Sequence, residues 1–176
     1  MRVFIPKEGG DGEPRDAAAP ETVKQMKKAG LDVAVEVGAG ERSYLLDADY
    51  EAEGAELVSD AKALWTSADV IAKVAPPEDN PALGAHEAEL PKKGACVIGF
   101  MDPYGEKARI ETLMRRSVTS LSMELVPRIT RAQKMDALSS QASIGGYKAV
   151  LLAAAKLPKY FPLLMTAAGT IKPARV

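Results

Sequence analysis

One cysteine, one histidine and one tryptophan occur in 176 residues, and aromatic side chains make up only 5% of the chain. Each scarcity excludes something. A single thiol, Cys96, cannot build a disulfide framework within one chain, and a reducing, cytoplasmic compartment fits. Cys96 sits in the apolar run ACVIGF and reads as a small core residue. His86 lies in a polar segment without cysteines or clustered carboxylates nearby, so no metal site is expected and the imidazole reads as a surface group. The net charge is −1 with no basic stripe, and aromatics are few, which argues against a nucleic-acid partner. No apolar run approaches the ~18 residues of a membrane span. The opening MRVFIPKEGG carries no apolar leader pattern. Nucleophile-elbow and complete dinucleotide-loop signatures are also missing.

What is present is an ordinary globular composition, 47% hydrophobic and 27% charged, long enough to bury a core. Five short runs read as strands covered on both faces: RVFI (2–5), DVAVEV (32–37), DVIAKV (69–74), ACVIGF (95–100) and SVTSLSM (117–123). Helical patterns fall between them. APETVKQMKKAG (19–30) carries Pro20 near its start and Gly30 as a stop. Further helices are expected over 49–58, 60–68 and 105–117. The segment 76–94, rich in proline and charge, reads as a loop with about one helical turn. Strands alternating with helices imply an α/β fold, a doubly wound and mostly parallel sheet flanked by helices.

From Asp136 to Leu157 the chain reads as one long helix, and the paired Gly145 and Gly146 inside it suggest close packing against another backbone. The expected organisation is an N-terminal α/β domain over 1–135, then a connecting helix and lead-in over 136–176. After Pro158 the sequence reads as a strand-poor tail.

Ligands of open α/β sheets bind outside the carboxyl ends of the strands. VGAGERS (37–43) follows a strand but has only two of three expected glycines, so it reads better as a turn than as a phosphate loop. Lys7, Arg15 and Lys73 fall near predicted strand ends. Lys73 interrupts an apolar strand, so it must snorkel, pair or line a cleft. The richest candidate is RITRAQKMDALSS (128–140), between the last strand and the long helix. Arg128 offers a planar donor fork, and Gln133 a donor and an acceptor. Asp136 and Ser139 could equally cap the helix. The residue types alone leave ligand loop and elaborate cap both open.

The segment VPRITRAQKMDALSSQASIGGYKAV resembles a signature shared by alanine dehydrogenase and the NAD(H)-binding subunit of proton-translocating nicotinamide nucleotide transhydrogenase. The first forty residues, from RVFIPKEGGDGEPRD onward, resemble another signature of that superfamily, and TAAGTIKPARV resembles its lead-in to a dinucleotide-binding domain. The resemblance implies a flavodoxin- or Rossmann-like N-terminal domain. It implies that Arg128, Gln133 and Asp136 hold the nicotinamide end of NAD(H), with Ser139 beside them and the Ile129–Thr130 backbone close by. It further implies a homodimer and membrane-embedded proton-channel and NADP(H)-binding partners. The chain would then lie on the cytoplasmic side, peripheral to the inner or plasma membrane through those partners.

Alanine dehydrogenase uses an arginine and a lysine to hold pyruvate, which Arg15 and Lys73 match. It also needs a histidine shortly after the fourth predicted strand, where this chain reads GFMDPYGEKARIE. The transhydrogenase branch is therefore expected, with an amino-acid dehydrogenase or a non-catalytic dimerisation or regulatory fragment as alternatives. Relatives continue past the Lys-Pro-Ala-Arg-Val segment into a glycine fingerprint. The expectation is a truncated or split subunit that alone binds NAD(H) poorly, because the adenosine and diphosphate contacts belong to the absent domain.

Overall fold

The Val- and Ile-rich runs become strands because their side chains are covered on both sides of a sheet. A computed structural model describes residues 1–10 and 12–175. They fall into two compact units, Met1–Val126 and Pro127–Val176; the loop 127–135 thus groups with the long helix that follows it. The terminal Val176 of the lead-in segment lies outside the described residues.

In β1 (Arg2–Ile5), Val3, Phe4 and Ile5 are all buried. Successive strand residues point to opposite faces. Phe4 accordingly joins Ala34, Ile71 and Val97 in one cluster, while Val3 and Ile5 join Val33 and Val35 in another. The chain continues through α1 (Pro20–Lys28), β2 (Asp32–Glu36), α2 (Asp47–Ala52), β3 (Glu56–Val58), α3 (Ala61–Ser67) and β4 (Val70–Ala72). A small antiparallel hairpin, β5 (Asp79–Asn80) and β6 (Ala85–His86), precedes β7 (Cys96–Gly99), α4 (Lys107–Arg115) and β8 (Thr119–Ser122).

Among the described residues, six strands form one all-parallel sheet in the order β3-β2-β1-β4-β7-β8. Val23 of α1 and Tyr50 of α2 fill one face; Leu64 and Trp65 of α3 and Leu113 of α4 fill the other. Each large side chain so buried contributes about 1.5–3 kcal/mol. The doubly wound sheet expected from the sequence is therefore present. Its order runs outward from β1 in one direction and from β4 in the other, so the carboxyl ends of these two strands flank a topological switch point.

Three local expectations are corrected. The helix over 49–58 stops at Ala52, because Gly54 takes φ +89° and the Ala55 N–H returns to the Tyr50 carbonyl; the chain then enters β3. The segment 76–94 holds a hairpin and a 3-10 turn at Glu87–Glu89 rather than a plain loop. The tail is not strand-poor: β9 (Leu164–Thr166) and β10 (Gly169–Ile171) pair as an antiparallel hairpin.

In the second unit, a 3-10 turn at Thr130–Met135 leads into α5 (Ala137–Lys156), about 30 Å long at 1.5 Å per residue. No residue of α5 is buried, and a Cβ built at Gly145 or Gly146 meets nothing within 4 Å. The close packing expected at this pair is therefore not made within the described residues. Despite its length, α5 is not apolar enough to cross a membrane, nor is any other described helix.

Candidate functional site

At the switch point of the first unit, Lys73 follows β4. Its N–H donates to the Ile98 carbonyl of β7 at 2.9 Å, and its side chain turns inward with no exposure. The ammonium donates to the Glu87 carboxylate and lies 3.5 Å from Glu8 Oε2 and 5.9 Å from the centre of the Trp65 ring. The lysine that breaks the apolar strand is thus paired. Neither carboxylate is near it in sequence. Glu8 arrives from the end of β1, and Glu87 from the turn after the hairpin.

Glu87 is well supplied with donors: besides Lys73 it accepts from the Asn80 Nδ2 at 3.0 Å and the Glu78 N–H at 3.3 Å. Glu8 accepts from the Val74 N–H at 2.5 Å. Burial pushes the Glu8 carboxyl above its ordinary value, against the lowering effect of Lys73. Gly99 allows the close approach of β7 here, since a Cβ at that position would stand 2.6 Å from the Lys73 carbonyl oxygen.

Around this cluster the strand ends are tied down by polar groups that the sequence did not single out. Arg109 is buried; it donates to the carbonyls of Pro77 at 2.5 Å and Met101 at 2.9 Å and pairs with Glu106. It clamps the segments that leave β4 and β7 together. Glu124 accepts from the N–H groups of Met101 and Asp102 at 2.8 and 2.6 Å, holding the turn in which Asp102 has φ +46°. Arg15, the other cleft candidate, lies partly exposed and forks onto its neighbour Glu13 through two 2.6 Å bonds. Lys7 donates its N–H to Glu36 at 2.8 Å. His86 spends Nδ1 on the Ala88 N–H at 3.1 Å, capping the 3-10 turn. VGAGERS is a turn, with Gly38 at φ +74°.

In the second unit, the residues of the 128–140 stretch converge on Asp136. Its Oδ1 accepts the Ser139 N–H at 2.9 Å, which caps α5, and its Oδ2 accepts the Ser139 O–H at 2.6 Å. The Arg128 guanidinium reaches back over the same pair, with Nη2 3.1 Å from Ser139 Oγ and Nε 3.8 Å from Asp136 Oδ2. The Ser139 hydroxyl first, then its N–H and the guanidinium, hold the Asp136 carboxyl below its usual range. Two-thirds of the Arg128 side chain remains exposed. The exposed Gln133 carboxamide has no hydrogen-bond partner among the described residues. Ile129 is half exposed, its N–H turned to the Pro127 carbonyl, and Thr130 opens the 3-10 turn. Cap and loop are thus one construction: the carboxylate that starts the helix also orients the arginine.

Glu8, Glu87, Arg109 and Glu124 were absent from the expectations. Only Lys73 carried a signal pointing to them, because a lysine inside an apolar strand demands a buried partner.

A parallel sheet with strand order reversing at its centre and helices on both faces defines a Rossmann-like α/β domain. The chain belongs to the family described as alanine dehydrogenase/PNT, N-terminal domain, which it matches over residues 4–145. It is 42% identical over 176 residues to an NAD(P) transhydrogenase subunit alpha chain of Rhodospirillum rubrum, covering all of this chain and 46% of that protein. Among solved structures, the transhydrogenase from Sinorhizobium meliloti superposes with a TM-score of 0.85 at 44% identity, over 99% of this chain and 50% of the other. An L-alanine dehydrogenase superposes with a TM-score of 0.63 at 30% identity, over 72% of this chain and 33% of the other. The chain thus spans about half the length of these two transhydrogenase relatives.

Proposed function

We propose that this chain forms part of the NAD(H)-binding component of a proton-translocating transhydrogenase, which moves hydride between NAD(H) and NADP(H). The observation that carries this reading is the Arg128–Ser139–Asp136 network beside an unpartnered Gln133 amide. A nicotinamide carboxamide offers one acceptor and one N–H donor pair, which an arginine fork and a glutamine amide complement. Asp136 and Ser139 hold the guanidinium, and Ile129 and Thr130 flank it. The nicotinamide supplies the hydride chemistry; the chain supplies orientation. NADP(H) and the proton path belong, in this reading, to partner components. They would bring the protein to the cytoplasmic face of the membrane as a homodimer.

The alanine dehydrogenase reading lacks its acid–base group. The segment after β7 has no histidine, and His86 spends Nδ1 within its own turn. Lys73, its expected pyruvate ligand, is enclosed between two carboxylates.

The test is hydride transfer by the assembled enzyme containing the complete subunit. Arg128→Ala and Gln133→Ala each raise the KM for NADH and leave the KM for NADPH unchanged. Unaltered NADH kinetics in both variants would refute the assignment.

A further inference from the structure

The cluster at the switch point contains one ammonium and two buried carboxylates. The side chains of Lys73, Glu8 and Glu87 are 0%, 2% and 1% exposed. With all three ionised, the enclosure holds one uncompensated negative charge, which a buried site avoids by taking up a proton. The geometry says where the proton goes. Glu87 has donors on both oxygens: Lys73 and the Glu78 N–H on Oε2, and Asn80 on Oε1. Glu8 uses only Oε1, on the Val74 N–H; its Oε2 is buried without a hydrogen-bond partner among the described residues and stands 3.5 Å from the ammonium. We propose that Glu8, Lys73 and Glu87 form a buried proton-binding site, with the proton on Glu8 Oε2, that fastens the loop after β1 to the β5–β6 hairpin.

The other groups around the cluster do not remove the need for that proton. Glu36, at the end of β2, adds negative charge and accepts from the Lys7 N–H; burial likewise pushes its carboxyl upward. The cations of Lys7 and Arg15 lie outside the enclosure and are engaged with Glu41 and Glu13. Trp65, from α3, offers the ammonium only its ring face. The fastening itself is visible in the packing. A Cβ at Gly9 would lie 3.8 Å from the Asn80 Nδ2, and one at Gly10 3.2 Å from Glu78 Oε1, so the loop passes directly against the hairpin.

The consequence is a dependence on pH. The folded-state midpoint of Glu8 lies above the ordinary value of 4.5. The stability it contributes is therefore fully present below 4.5 and lost as pH rises through the raised midpoint. Loss of the proton puts a second negative charge beside Glu87 and loosens the loop from the hairpin.

The experiment is a carbon-13 carboxyl titration of the full-length protein, with the Glu8 signal identified by its absence in Glu8→Gln. Circular dichroism verifies that each variant folds. A Glu8 midpoint above 4.5 is expected. In Glu87→Gln the ammonium is no longer shared, and the midpoint should fall by about one pH unit or more. Trp65, the single tryptophan, reports the cluster by its fluorescence, which should change with the wild-type midpoint. A wild-type midpoint at or below 4.5 overturns the site, with or without a foldable variant. A raised midpoint that Glu87→Gln leaves in place overturns the shared-lysine origin. Emission that ignores the titration overturns the link to loop release.

Discussion

The Arg128 guanidinium donates to the Ser139 hydroxyl at 3.1 Å across eleven residues of sequence, and that hydroxyl donates in turn to Asp136 at 2.6 Å. A helix cap and a binding loop therefore share their atoms. Changing the cap changes the aim of the arginine, and the two effects can be separated by choice of substitution.

Arg128→Lys tests the aim. Lysine keeps the positive charge but presents a point donor instead of a planar fork. A charge-assisted hydrogen bond is worth about 1.5–3 kcal/mol. If one such bond to the nicotinamide carboxamide is lost, the KM for NADH in the assembled enzyme rises on the order of ten- to a hundredfold. A lysine variant with wild-type KM would show that the fork is not used.

Ser139→Ala tests the cap through its titration. The Asp136 carboxyl sits below its ordinary value of 3.8, mainly through the Ser139 hydroxyl. A depressed folded-state value means that stability is present above the unfolded value and lost as pH falls through the folded one. The Asp136 midpoint, followed by carboxyl NMR, should therefore lie below 3.8 and move upward in Ser139→Ala. No movement would mean that the hydroxyl bond does not govern this carboxylate.

The parts that were legible in the sequence share a cause. β1, β2, β4, β7 and β8 announce themselves as Val- and Ile-rich runs because a parallel sheet buried on both faces leaves little room for polar residues. β3 is the three residues Glu56–Val58, with one glutamate, too short to display any period. The two-residue strands of the β5–β6 hairpin are hidden in the same way. The Arg128–Asp136–Ser139 network was partly readable because its members lie within twelve residues and include a natural cap. Glu8, Glu87 and Arg109 were not, since a charged residue in a polar segment looks solvated until the fold brings its distant partner to it.

Arg109 offers a stability test of such an unreadable residue. Its guanidinium satisfies the Pro77 and Met101 carbonyls and pairs with Glu106 while itself buried. Arg109→Met leaves those carbonyls without the donor, and breaking a buried charged pair typically costs about 3–5 kcal/mol. Because Glu106 is half exposed, the lower end of that range is expected. Urea unfolding checks it; an unchanged midpoint would show that the clamp is dispensable.

The same substitution at two glycines should act in opposite directions. At Gly99 an added Cβ would stand 2.6 Å from the Lys73 carbonyl oxygen, a backbone atom that cannot move without separating β7 from β4. Overpacking of this kind costs about 1–3 kcal/mol. At Gly145 an added Cβ meets nothing within 4 Å, and the position lies inside α5. Alanine there raises helix stability by about 0.5–1 kcal/mol through the smaller entropy lost on folding. Urea unfolding of Gly99→Ala and hydrogen-exchange protection of the α5 amides in Gly145→Ala, both on the 176-residue chain, measure the two effects. A gain of protection in α5 accompanied by weaker assembly of the complete enzyme would place a partner backbone against Gly145. Equal losses at both positions would contradict the open surroundings of Gly145.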